Sequence, residues 1–245
     1  MKAITVGTTA LLAVAIAQSA SADCWSMTFA GYGLHQTVGV RFNNSEAWDS
    51  ATANSGFAGV SAGQLNFTVF GQTYSNYCVQ LFEGVGQVGE TNTWCTAAIE
   101  DVPEAPPAPG PMGALKATLV QDLYARFHAT VKDSADANDH AAFQVVLWEL
   151  THEKFDAATA VLALDQIDLL EGALQLNGAH ATILALANDM IDALGDGGFQ
   201  SIGDNLIGLT SQLKQDHLVV VPIPAPVLIA GLGLLGVGIL RRRMK

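Results

Sequence analysis

Three cysteines, Cys24, Cys78 and Cys95, carry all the thiol chemistry open to this chain. The number is odd, so one disulfide leaves one sulfur over. A leftover thiol is either a small buried hydrophobe or a nucleophile, and its surroundings decide which. Three pairings are possible, and the sequence alone does not choose among them. The neighbourhoods differ, however. Cys24 stands in Asp23-Cys24-Trp25, and Cys95 follows Trp94 at the edge of a strand-like run. Cys78 lies inside the apolar, β-prone segment Asn76-Tyr77-Cys78-Val79-Gln80-Leu81-Phe82. These settings favour a Cys24–Cys95 disulfide, with Cys78 as the odd thiol. Closing so long a loop contributes about 4 kcal/mol in the chain-entropy picture.

A second group of polar residues recurs every fourth position: His140, Gln144, Trp148 and His152. Gln144 and Trp148 share a helix face at this spacing. His140 and His152 are read as solvated or capping residues, with proton transfer as the alternative. His152-Glu153 begins like a zinc-protease helix, but Asp156 stands where the second histidine belongs, so no metal is expected. Asp133, Asp136, Asn138 and Asp139 lack the glycine and the spaced glutamate of a calcium loop, and they read as a helix-capping loop. There is no Gly-rich phosphate loop and no Ser-His-Asp order, and no cofactor is expected.

The elements that must hold these residues follow from pattern. Short alternating runs at Thr37–Phe42, Leu65–Phe70 and Tyr77–Phe82, separated by Gly and Asn turns, predict strands. Residues 101–113, DVPEAPPAPGPMG, cannot be regular structure; they are a linker or an ordered loop. Helices are expected over Ala114–Val131, Asp139–Glu153 and Ala179–Leu194, the second capped by Asn138 or Asp139. Ala173–Leu176, Leu206–Thr210 and His217–Val221 complete the pattern as strands. The order, β then α then mixed, predicts an α+β fold: a β-rich N-terminal part, a helical subdomain and closing strands.

The chain ends carry their own signals. Lys2, the apolar run Ala10–Ala17 and the small-residue site Ala20-Ser21-Ala22 read as a signal peptide over residues 1–22, leaving Asp23 first. Asp23 also excludes a lipoprotein, because a small residue should precede the lipidated cysteine. Export implies an oxidising compartment. At the other end, Val227–Leu240 is uncharged and barely long enough to cross a bilayer. Arg241, Arg242, Arg243 and Lys245 follow it and should stay cytoplasmic. Between the ends lie roughly 200 residues, 23–221, enough for one domain with a real core. The formal charge is −12, and several of the few cations sit in the tail, so nucleic acid is not an expected partner.

Pro222-Ile223-Pro224, a short apolar span and a terminal Arg cluster resemble the sorting tail of PEP-CTERM proteins of Gram-negative bacteria. Val221-Pro222-Ile223-Pro224-Ala225 is similar to the VPLPA-like variant of that box. The resemblance implies that residues 222–245 are recognised and removed by an exosortase, a membrane protease. It also implies brief residence in the inner membrane, then release to the cell surface or matrix.

The segment Tyr77-Cys78-Val79, followed later by Phe143-Gln144-Val145-Val146-Leu147-Trp148, resembles the bacterial thioester domain. Gly110–Ala114 (GPMGA) and Gln215-Asp216-His217-Leu218 resemble the flanking segments of exported members, so the likeness spans nearly all of 23–221. It implies an internal thioester between the Cys78 sulfur and the Gln144 side-chain carbonyl, with Tyr77 and Trp148 excluding water. Two positions depart from the pattern: Gln80 stands where an acid is common, and Val146 where alanine is usual. The function implied is single-use covalent attachment to an amine or hydroxyl on a surface or matrix partner, without turnover. The rival reading is a structural surface protein in which the bond never forms.

Overall fold

A computed structural model describes residues 23–42, 57–105, 109–177 and 180–221. The signal peptide, Pro222, Pro224 and the Arg241–Arg243 cluster lie outside the described residues. No helix among the described residues is long and apolar enough to cross a membrane.

Among the described residues, seven strands form one antiparallel sheet: β1 (Cys24–Phe42), β2 (Ala58–Val69), β3 (Gln72–Cys78), β4 (Thr91–Ala97), β5 (Leu174–Asn177), β6 (Leu206–Thr210) and β7 (His217–Val220). The spatial order is β2-β3-β7-β6-β4-β1-β5, and β2 also pairs with β1. Six strands therefore close on themselves, which leaves no open edge among them. β5 extends the C-terminal end of β1. With every pairing antiparallel and helices laid on the sheet, the α+β expectation holds.

β1 is far longer than the predicted Thr37–Phe42 run. It can curve because its pairing with β2 shifts register twice, between Phe29 and Gly31 and between Tyr32 and His35. Such bulges bend a strand and re-aim the side chains beyond them. The buried positions are Met27 and Phe29 before the bulges and Val38, Val40 and Phe42 after them. Gly63 sits opposite the second shift at φ +142°, where a Cβ would lie 2.3 Å from the Leu34 carbonyl oxygen. Only glycine fits there.

The helices are α1 (Gly113–Leu123), α2 (Ala129–Lys132), α3 (Ala137–His152), α4 (Ala160–Leu164) and α5 (Ala181–Asp192). A π-helical turn, Tyr124–His128, joins α1 to α2. The expected continuous helix over 114–131 thus carries one wide turn. α3 is capped by Asp136, whose side chain accepts from Asn138 N, and not by Asn138 or Asp139. Every residue from His140 to His152 is buried. α3 packs on β1 and β2 from one side and on α1 and α5 from the other. All these elements share one hydrophobic core, so the helices are a layer on the sheet and not a separate subdomain.

The proline-rich segment is an ordered loop at its described ends, and not a linker. Val102 is fully buried, and its carbonyl accepts from Met112 N at 3.0 Å. It packs so closely on β6 that a Cβ at Gly208 would lie 2.6 Å from Val102 Cγ1. Cys24 and Cys95 face each other in the β1–β4 ladder and form the disulfide, while Cys78 stays free and buried.

Candidate functional site

Cys78 is the last residue of β3. The predicted strand Tyr77–Phe82 ends there, because Gln80–Phe82 leave the ladder. Val79 N still donates to Asp216 O at 2.9 Å, which fixes the strand end against β7. The neighbouring α3 brings Gln144 directly to Cys78.

The Gln144 carboxamide is held by the backbone of Cys78 itself. Gln144 Oε1 accepts from Cys78 N at 3.2 Å, and Gln144 Nε2 donates to Cys78 O at 2.8 Å. Two hydrogen bonds to one residue leave the carboxamide little freedom. Cys78 Sγ stands 3.8 Å from Gln144 Oε1. Trp148, one turn further along α3, donates from Nε1 to Sγ at 3.3 Å. Cys78 is 4% exposed, Trp148 1% and Gln144 0%. Gln144 is therefore not a solvent-facing helix residue.

Burial pushes the Cys78 thiol up to about 12, partly offset by hydrogen bonds from Trp148 and the backbone. The resting sulfur is thus a thiol. Trp148 is the donor that would stabilise it as a thiolate. Attack of Sγ on the carboxamide carbon would place negative charge on Gln144 Oε1, where Cys78 N–H already donates. The departing nitrogen is the one bonded to Cys78 O. Where a fold holds sulfur and carbonyl carbon at near-attack distance, that ordering supplies about 7–11 kcal/mol of a barrier.

Tyr77 faces α3 as well, through a hydrogen bond between its hydroxyl and His140 Nδ1 at 2.9 Å. His140 Nε2 lies 3.0 Å from Ser134 O, which can only accept. A neutral His140 therefore carries its proton on Nε2 and accepts from Tyr77 at Nδ1. Burial raises the Tyr77 phenol above its ordinary value, and a hydrogen bond from Gln64 opposes this. The rings of Tyr77, Phe143, Tyr124 and His128 pack together, with Tyr77–Phe143 centroids 4.7 Å apart and Tyr124–Phe143 5.1 Å apart. They form one aromatic cluster around Phe143.

His140 and His152 are both buried, which corrects the reading of solvated histidines. His140 positions Tyr77. His152 Nδ1 lies 2.9 Å from Trp148 O, and burial holds its pKa down near 3. The Ser134–Asp139 segment is a capping loop, as its composition indicates: Ser134 Oγ donates to Asp139 and Asp136 caps α3. Among the described residues no group of three His, Cys, Asp or Glu is placed to hold a metal ion.

Two residues beside the site, Asp216 and His217, stand out in the sequence only as part of the Gln215-Asp216-His217-Leu218 flanking segment, which gives neither a role. Asp216 accepts from Glu104 N and Ser211 N, at 2.7 and 2.8 Å, tying the proline-rich loop and the β6–β7 turn to β7. Burial, opposed by these bonds, lifts its pKa to about 7. A carboxyl raised in the folded state stabilises the fold at low pH and loses that contribution as pH rises through the folded value. The wild-type urea midpoint should therefore fall between pH 5 and pH 8 by more than that of Asp216→Asn; equal changes would show that Asp216 does not titrate there. His217, the residue after it, pairs with Cys78 in the β3–β7 ladder.

Comparison of the chain with family models, curated proteins and solved structures finds no match.

Proposed function

We propose that this is an exported protein whose Cys78 and Gln144 close into an internal thioester, a latent electrophile for one covalent capture. The observation that carries the reading is the grip of the Cys78 backbone on the Gln144 carboxamide, with the sulfur beside it and Trp148 on the sulfur. An ordinary buried cysteine has no need of a carboxamide held by two hydrogen bonds. The likeness to bacterial thioester domains in sequence rests on the same residues. Loss of ammonia leaves the acyl group on sulfur, and burial beneath Tyr77, Phe143 and Trp148 protects it from water. Attack by an amine or hydroxyl of a surface or matrix partner transfers the acyl group and frees Cys78. The chain is consumed, so the process is not enzymatic turnover.

The test is capture of a small biotinylated amine. The reading expects at most one label per chain, located on residue 144 and absent from Cys78→Ala and Gln144→Ala. Labelling that persists in either variant, or none in the wild type, overturns it. Export and removal of the tail by an exosortase-type protease rest on the sequence of the two ends. Replacing Pro222 and Pro224 by Ala should leave a longer, membrane-retained chain, and unchanged processing would contradict the tail's role.

A further inference from the structure

His217 is fully buried, and neither ring nitrogen has a hydrogen-bond partner among the described residues. That is costly. An imidazole carries one donor and one acceptor, and burying either unpaired is destabilising. Its ring neighbours are Phe67 and Trp94, with centroids 5.0 and 6.0 Å away, and neither offers it an acceptor. Packing alone would be better served by an apolar ring.

The register explains where the imidazole stands. Cys78 pairs with His217, and Tyr77 with Leu218. Val79 N donates to Asp216 O in the next pair. Hydrogen-bonded and non-hydrogen-bonded pairs alternate along an antiparallel ladder, so Cys78–His217 is a non-hydrogen-bonded pair. In such pairs the two side chains share one face of the sheet, with Cβ atoms about 4.5–5.5 Å apart. Asn76, two residues before Cys78, projects from the same face of β3. It is 2% exposed, and its Oδ1 also lacks a partner among the described residues. Thiol, imidazole and carboxamide oxygen therefore occupy adjacent positions on one inward face, and the last two are unsatisfied. A nucleophile, a base and a group that orients the base is the arrangement of an activated thiol.

We infer that His217, oriented by Asn76, takes the proton of Cys78 and returns it to the leaving nitrogen during closure of the thioester. This rests on the thioester reading above. The step requires the imidazole, whose ring nitrogens have no partner among the described residues, to turn so that its basic nitrogen meets Sγ–H and its N–H meets Asn76 Oδ1. The imidazole lone pair removes the thiol proton, and a sulfur lone pair bonds to the Gln144 side-chain carbonyl carbon. The carbonyl π pair moves to Oε1, held by Cys78 N–H. On collapse the C–N bond breaks, its electron pair goes to Nε2, and Nε2 takes the proton back from the imidazolium. Thiol and carboxamide thus become thioester and ammonia, and His217 ends neutral.

The experiment uses the reverse reaction to reset the chain. Concentrated ammonia opens the thioester to free Cys78 and intact Gln144. After rapid removal of ammonia, re-closure is followed by intact mass and by loss of alkylatable thiol. His217→Phe keeps a ring against Phe67 and Trp94, and His217→Gln keeps a polar group. Both should re-close at least about 100-fold more slowly than wild type, the lower end of general acid–base contributions, and Asn76→Ala should be slowed less. Wild-type re-closure rates in folded His217→Phe overturn the inference and leave the thioester reading standing; a wild type that never shows the mass deficit overturns both. Should the His217 variants not fold, ring-nitrogen NMR of His217 in Gln144→Ala, where the thiol is free, decides. Its shifts must differ from those in the Cys78→Ala, Gln144→Ala double variant, and identical shifts overturn the inference.

Discussion

Trp148→Ala is expected to lower the unfolding free energy by about 4 kcal/mol, within the range for removal of a large buried ring. Trp148 is 1% exposed and sits in the middle of the helix that anchors the core. Its loss leaves a cavity between α3 and the end of β3, and little around it can collapse, because α3 is packed on all sides. The same substitution removes the donor from Cys78 Sγ. Trp148→Phe separates the two effects. It keeps most of the apolar volume and should cost less than half as much stability, yet it still strips the sulfur of its N–H partner. Urea unfolding read by far-ultraviolet circular dichroism measures the first effect, and the yield of amine capture measures the second. A loss below about 1 kcal/mol for Trp148→Ala would mean that α3 does not pack as described.

Removal of the disulfide is the second large effect. Cys24 and Cys95 are separated by 71 positions, and the chain-entropy relation gives about 4 kcal/mol for a loop of that length. Cys24→Ser with Cys95→Ser should lower stability by that order while leaving the β1–β4 ladder to re-form. The bond ties the start of β1 to β4, whereas Cys78 sits at the end of β3 against α3. Stability and site chemistry should therefore part company: the double variant unfolds at lower urea but still captures one amine per chain when folded. Loss of capture in the folded double variant would place Cys24 or Cys95, and not Cys78, at the reacting centre.

Local pattern revealed much of this molecule, and its failures have physical causes. The closing strands Leu206–Thr210 and His217–Val220 were readable because each is short, apolar and bounded by turn residues. The spacing of four made Gln144 and Trp148 readable as one helix face, whereas Cys78 joined them only through the resemblance to the thioester domain. The surroundings of α3 were not. Its polar residues, His140, Gln144, Glu149 and His152, make it read as half-solvated, yet each is buried. Periodicity reports a helix with one wet face, and it fails for a helix covered all round by sheet and helices. The Tyr77–His140 bond joins residues 63 positions apart, and the pairing of His217 with Cys78 is a matter of register between distant strands. No local signal encodes either. β4 was seen only as an edge near Trp94, because Asn92, Thr93 and Thr96 dilute its alternation and its place is fixed by pairing with β1 and β6. The π-helical turn leaves no local mark either, since its residues suit an ordinary α-helix.

The proposed thioester is one covalent bond between Cys78 and Gln144, two side chains that the fold already holds together. Intact-mass measurement of the exported chain under non-nucleophilic conditions decides whether it forms. The expected result is a mass one ammonia below that of the disulfide-bonded sequence, no alkylatable thiol at Cys78, and full mass in both Cys78→Ala and Gln144→Ala. A wild-type chain of full mass with Cys78 free to alkylate on unfolding would contradict it.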